Sequence, residues 1–169
     1  MVKIALAIGH NFSKGDRGAA ANTTEANTTK KIIDTIIKKG IPGFTIVKCP
    51  ELGIKERNKW VNSQKDLAAY FEFHLDSATP KATGVTTYFV GNTWAQEAKQ
   101  FQMEYTRLTG LKGRGVHADT ENRWRLAIRD IRIFGLLMEL GFISNPNDLK
   151  VIQEKVEAIT SGIKTMFAS

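Results

Sequence analysis

Short apolar runs alternate with amphipathic stretches along the whole chain. Residues 3–8 (KIALAI) form a continuous apolar run that predicts a strand buried on both faces, ending at Gly9-His10-Asn11. From Thr24 the spacing becomes helical. Ile32, Ile33, Ile36 and Ile37 share one face, Thr23 or Thr24 can cap the start, and Lys38-Lys39-Gly40 supplies cations and a glycine at the end. Residues 44–47 predict a second strand, and 54–64 a helix with Ile54, Trp60 and Val61 inward. Residues 67–75 (LAAYFEFHL) predict a strand in which Glu72 and His74 alternate with Phe71 and Phe73. Residues 84–90 predict the next strand. An amphipathic helix follows over 94–108, with Trp94, Ala98, Phe101, Met103, Tyr105 and Leu108 as its apolar positions, and a loop at Gly113-Arg114-Gly115. Residues 126–129 read as a brief strand or turn and 135–140 as the last buried strand. Asn145-Pro146 reads as a stop before a helix over 151–166.

Strands alternating with helical patterns predict an α/β fold. The expectation is a single domain over 1–169 with no separate binding domain. Its core would be a mostly parallel twisted sheet of about five to six strands, with helices on both faces and at least one mixed edge. There are no repeats or low-complexity tracts.

Composition narrows the partners. The formal charge of +7 favours an anionic partner. The Lys and Arg residues are scattered rather than gathered into a block, which disfavours nucleic acid. No run of 18 apolar residues exists, so no membrane span is expected. The N-terminus makes a poor signal peptide, because its short apolar stretch runs into His10-Asn11. The expected localisation is therefore the cytoplasm in which the chain is made, and action outside it would need release by other means. The single cysteine, Cys49, excludes an internal disulfide and a cysteine-based metal cluster, and reads as a small buried hydrophobe.

The candidate chemistry centres on residues 136–145 (LLMELGFISN), where Glu139 interrupts an apolar run. A buried carboxylate is costly unless it is paired, metal-bound or used. In open α/β sheets ligands sit beyond the carboxyl ends of the strands. His10 follows the first strand, His74 and Glu139 lie near the ends of two others, and Glu25 opens the first helix. Two histidines and one carboxylate form a ligand set for a catalytic zinc with an open position. A second carboxylate beside it can move a proton. Glu25 as ligand and Glu139 as base would fill these roles. Glu25 and Glu139 could instead be the two carboxylates of a glycosidase, and a non-catalytic basic binding module for cell wall or nucleic acid is a third reading.

Three segments carry a family resemblance: Gly9-His10-Asn11, His74-Leu75-Asp76-Ser77-Ala78 and Glu139-Leu140-Gly141-Phe142-Ile143-Ser144-Asn145. With Arg114-Gly115-Val116 and Leu126-Ala127-Ile128-Arg129, they resemble the zinc-dependent N-acetylmuramoyl-L-alanine amidases of the amidase-3 type over nearly the full chain. The resemblance departs at Asp76, where Asn is usual, and at Phe134, where Pro is common. It implies Zn2+ held by His10, Glu25 and His74, with Glu139 as the catalytic glutamate. It also implies hydrolysis of the amide between N-acetylmuramic acid and L-alanine in peptidoglycan, in the manner of a phage-type endolysin. Arg114, Trp124 and Arg129 are candidates for a substrate groove. Trp60 and Trp94 read as core, and His117 as a solvated loop residue. Anionic cell-wall polymers are a further expected partner through the net charge.

Overall fold

A computed structural model describes residues 1–10, 18–121 and 127–168. Among the described residues, six strands form one sheet: β1 (Val2–Ile8), β2 (Phe44–Lys48), β3 (Ala69–Asp76), β4 (Val85–Phe89), β5 (Gly113–Ala118) and β6 (Phe134–Phe142). Their order is β2-β1-β3-β6-β4-β5. β2, β1, β3 and β6 run parallel, β4 is antiparallel to β6, and β5 is parallel to β4. The mostly parallel sheet with a mixed edge is therefore as the alternation predicts. Its centre brings β1, β3 and β6 side by side, so their carboxyl ends open on one edge.

The helices are α1 (Glu25–Lys39), α2 (Ile54–Ser63), α3 (Ala95–Thr109), α4 (Pro146–Glu154) and α5 (Val156–Met166). The alternating side chains of the strands feed two cores. Ile4, Leu6, Phe71, Phe73, Leu136 and Met138 pack into a larger core that includes Ile33 and Ile36 of α1, Phe101 of α3 and Ile159 of α5. Ala5, Ala7, Tyr70 and Leu137 point the other way, into a smaller core with Val61 of α2, Ile128 and Ile131. Helices thus cover both faces, as expected. The Thr24 hydroxyl accepts from the Asn27 N–H at 3.2 Å and Gly40 closes α1 at φ 70°, both as the sequence indicates.

Several expectations need correcting. Ile54 is 54% exposed rather than inward; the buried side of α2 carries Arg57, Asn58 and Val61. Met103 is 70% exposed, because Ala98, Phe101 and Tyr105 fix the inner stripe of α3 and leave Met103 on the opposite side. Ile37 lies at the exposed rim of α1, and Trp94 packs one side against Phe134 while staying partly exposed. Gly113-Arg114-Gly115 begins the edge strand β5 instead of forming a loop. Asn145-Pro146 opens a helix directly, where the sequence predicts a stop ahead of a helix beginning only at residue 151. The Asn145 side chain accepts from the N–H groups of Asn147 and Asp148, and Pro146 fills the first helical position. The predicted single C-terminal helix is two, broken at Lys155. Leu126 lies outside the described residues, and 127–130 is a turn.

Candidate active site

β1 ends by handing its chain to Gly9 and His10, and α1 begins over the same edge. The Glu25 carboxylate enters this space from the first turn of α1. Its Oε1 lies 2.9 Å from His74 Nδ1 and 3.3 Å from His10 Nε2 and accepts from the Leu75 N–H at 3.1 Å; Oε2 accepts from the Ala19 N–H at 3.0 Å. One donor atom from each of His10, Glu25 and His74 lies within 4.8 Å of the others. The two imidazoles meet edge to face, with centroids 5.2 Å apart. Burial would raise the Glu25 pKa, but the hydrogen bonds and charges of His10 and His74 outweigh it and hold the carboxyl well below the usual range. A carboxylate oxygen flanked by two imidazole nitrogens is a donor set suited to a divalent cation such as zinc.

The sheet also places Glu139 here. His74 and Glu139 are cross-strand partners in the β3–β6 register. Leu136, Leu137 and Leu140 are all buried and hold the strand in the two cores. Glu139 as a residue is half-buried, yet its Oε2 is enclosed with no hydrogen-bond partner among the described residues. Burial pushes its pKa up to about 7. Glu25 and Asp76 add to the rise, and the nearby histidines oppose it. The register continues from Glu139 to Thr86 of β4, and from Thr86 to Gly115 of β5. His74, Glu139, Thr86 and Gly115 therefore make a half-buried row across one face of the sheet.

Other sequence candidates fall in different places. Arg114 stacks its guanidinium over the Phe142 ring at 5.0 Å and reaches the Thr83 carbonyl at 3.4 Å. It lines a cleft of about 480 Å3 with Lys81 and Lys112. Because β4 is antiparallel to β6, this cleft is on the same sheet edge as the Glu139 strand end. Arg129 pairs with the buried Asp119 at 3.6 Å and lines a basic cleft against α2 with Lys55 and Lys59. Neither it nor Arg132 serves as a partner for Glu139 Oε2. Trp124 lies outside the described residues. His117 sits on β5, 3.4 Å from Glu121 and beside Tyr88. Cys49 is buried, which pushes its thiol up to about 12 and leaves it inert.

Sequence reasoning assigns no role to the buried acids Glu72, Asp119 and Asp148, and two of them bear on the site. Glu72 lies fully buried beneath His74, with Oε1 2.8 Å from His74 Nε2 and Oε2 accepting from the Tyr70 hydroxyl at 2.6 Å. The signal was available: an acid two residues before His74 in an apolar strand must share its face. Asp148 accepts from Thr83 Oγ1 at 2.6 Å, Gly84 N–H at 3.1 Å and Phe142 N–H at 3.0 Å, fastening the start of α4 to the ends of β6 and the β3–β4 loop.

Residues 4–166 match the family model Amidase_3, N-acetylmuramoyl-L-alanine amidase. The chain is 24% identical over 181 residues to a probable cell wall amidase, LytH, of Staphylococcus aureus, and 27% identical over 179 residues to that of Staphylococcus saprophyticus. Each alignment covers 98% of this chain and 58% of the relative, so the chain spans little more than half the length of these relatives. The N-acetylmuramoyl-L-alanine amidase from Clostridium difficile 630 superposes with a TM-score of 0.83 at 18% identity, covering 99% of this chain and 97% of that one. The catalytic domain of CwlV from Bacillus (Paenibacillus) polymyxa var. colistinus gives 0.79 at 21%, and that of the CD27L endolysin targeting Clostridia difficile gives 0.77 at 21%, each covering 97% of both chains. At these identities the solved structures establish a shared fold. The family match extends over nearly the whole sequence, and the chain belongs to the Amidase_3 family of N-acetylmuramoyl-L-alanine amidases.

Proposed function

We propose that this chain is a zinc-dependent amidase that cleaves the amide between N-acetylmuramic acid and L-alanine in peptidoglycan. The observation that carries the reading is the convergence of His10, Glu25 and His74 donors within 4.8 Å, with Glu139 as the register partner of His74 and its buried Oε2 lacking a hydrogen-bond partner among the described residues. The three donors would hold the ion. When bound, zinc supplies Lewis acidity, lowering the pKa of water and polarising a carbonyl. Glu139 takes the proton of the attacking water and returns it to the alanine amine as the C–N bond breaks. A carboxyl poised near 7 suits both halves of that exchange. The Thr86–Gly115 row and the Arg114 cleft give the substrate a path across the same edge.

The glycosidase reading needs Glu25 free to act as nucleophile or base. Its two oxygens are instead engaged by two imidazoles and two backbone N–H groups, which disfavours that reading. The finer setting is a phage-type lytic enzyme that reaches the wall at lysis. The endolysin domain among the structural relatives shares this fold, and so do bacterial wall amidases, so lytic action itself is the discriminating property.

The test uses purified cell wall. Zinc-loaded protein should release free alanine amino groups and no reducing ends. Chelation should stop the release and added zinc restore it. Reducing ends, or release indifferent to chelation, would overturn the reading. Clearing of whole-cell suspensions would support the lytic setting, and digestion of isolated wall without clearing would refute it.

A further inference from the structure

The four residues of the proposed centre leave Glu72 unused. Side chains at positions 70, 72 and 74 of β3 share the face toward α2. His74 is thus held between two carboxylates. Its Nδ1 lies 2.9 Å from Glu25 Oε1, within the proposed metal centre, and its Nε2 lies 2.8 Å from Glu72 Oε1, on the inner side. An ionised carboxylate only accepts hydrogen bonds, and a neutral imidazole has one N–H and one lone pair. If the lone pair at Nδ1 is to face a cation, the proton must be on Nε2, where Glu72 receives it.

The rest of the surroundings keep Glu72 in that position. The Tyr70 hydroxyl donates to Oε2 at 2.6 Å, and Arg57 Nη2 lies 3.5 Å from Oε1. Arg57 is itself buried and donates to the carbonyls of Ile8 and Gly9. One guanidinium therefore links the carboxylate under His74 to the strand end that delivers His10. A fully buried carboxylate is retained only when such partners offset its desolvation.

We infer that Glu72 is a positioning residue, which fixes His74 as an Nδ1 ligand by accepting its Nε2–H. The inference rests on the zinc reading above and adds what selects the ligating nitrogen. A carboxylate behind a ligating imidazole orients the ring, fixes its tautomer and raises its basicity.

Two measurements test this. The first is 15N–1H NMR of the imidazoles in the zinc-loaded wild-type chain, which has only three histidines. His74 should carry its proton on Nε2, protected from exchange, with zinc on Nδ1. Zinc on Nε2 would overturn the inference. The second is zinc affinity by chelator competition. Glu72→Ala should lose about 10–100-fold, and Glu72→Gln, whose amide oxygen still accepts from Nε2–H, should recover part of that loss. Affinities of both variants within about twofold of wild type, with circular dichroism unchanged, would overturn it as well. If Glu72→Ala fails to fold, the wild-type spectrum decides alone. Failure of the wild-type chain to bind zinc would overturn the metal reading and this inference with it. Normal zinc binding with indifferent Glu72 variants removes only the positioning role.

Discussion

Gly9 and His74 compete for one space. A Cβ added at Gly9 would stand 2.3 Å from His74 Cε1 and 2.4 Å from each ring nitrogen. The absence of a side chain at Gly9 is what lets the imidazole lie over the end of β1 and face Glu25. Gly9→Ala should therefore displace the ring rather than unfold the chain. The Gly9 N–H donates to the Phe73 carbonyl at 2.9 Å, a bond that alanine keeps. Zinc affinity should fall at least about tenfold, as for other changes that misorient a ligand. Thermal melting checks it. Zinc should raise the melting temperature of the wild type by mass action and leave that of the variant nearly unmoved.

The role proposed for Glu139 sets function against stability. With its pKa raised from 4.5 to about 7, the folded state holds a proton that the unfolded chain releases. Below the unfolded value both states are protonated and the burial has no linked cost. As pH rises from about 4.5 to about 7 the folded state loses stability relative to the unfolded one, and above that window the loss is complete. Its full size is on the order of 3 kcal/mol. In metal-free protein, Glu139→Gln should therefore be more stable than wild type at pH 8, with the difference vanishing towards pH 4. Denaturant melts across that range measure it. A difference independent of pH would refute the argument.

The same substitution should abolish turnover without emptying the metal site. Proton transfer by a positioned carboxyl contributes about 10²–10⁴-fold, and glutamine cannot supply it. Glu139→Gln should bind zinc stoichiometrically and lose activity on that scale, whereas His74→Ala should lose the metal as well. Metal content and amino-group release, assayed on one preparation, separate the two outcomes.

Arg114 and Arg129 should part company. Arg114 lines the cleft proposed as the substrate path, so Arg114→Ala should raise KM severalfold with kcat little changed, the mark of lost ground-state binding. Arg129 partners Asp119, which is only 2% exposed. Removing it leaves a buried acceptor short of a donor, at about 1–3 kcal/mol. Arg129→Ala should appear in the melting curve rather than in KM.

What the sequence disclosed followed from how local its signals were. Apolar runs located β1, β3 and β6, and strand-end positions brought His10, His74 and Glu139 to one edge. Thr24 and Gly40 bounded α1 because capping is a matter of neighbouring residues. The readings that failed depended on partners far along the chain. Buried Arg57 faces a carbonyl 49 residues away and buried Asp148 accepts from Thr83 across 65, so neither acid nor guanidinium declares its role locally. β5 was hidden because Gly113-Arg114-Gly115 has turn composition, and only pairing with β4 makes it a strand. Asn145-Pro146 is ambiguous in isolation, since the pair that ends one element also caps and opens α4.

The formal charge of +7 makes a last prediction about the wall itself. Lys and Arg are spread over the chain and no single contact dominates, so any attraction to an anionic wall acts through the summed field. Such a field is screened over about 10 Å at 0.1 M salt and about 3 Å at 1 M. Activity on intact walls that carry anionic polymers should then fall steeply between low and moderate ionic strength. If the proposed centre of His10, Glu25 and His74 performs the chemistry, its short-range contacts should be screened far less. Turnover of a small uncharged muramyl-peptide amide should accordingly stay nearly flat over the same range. Parallel decline of both substrates would mean that salt acts on the enzyme itself. A flat response on intact wall would mean that the net charge plays no part in finding the substrate.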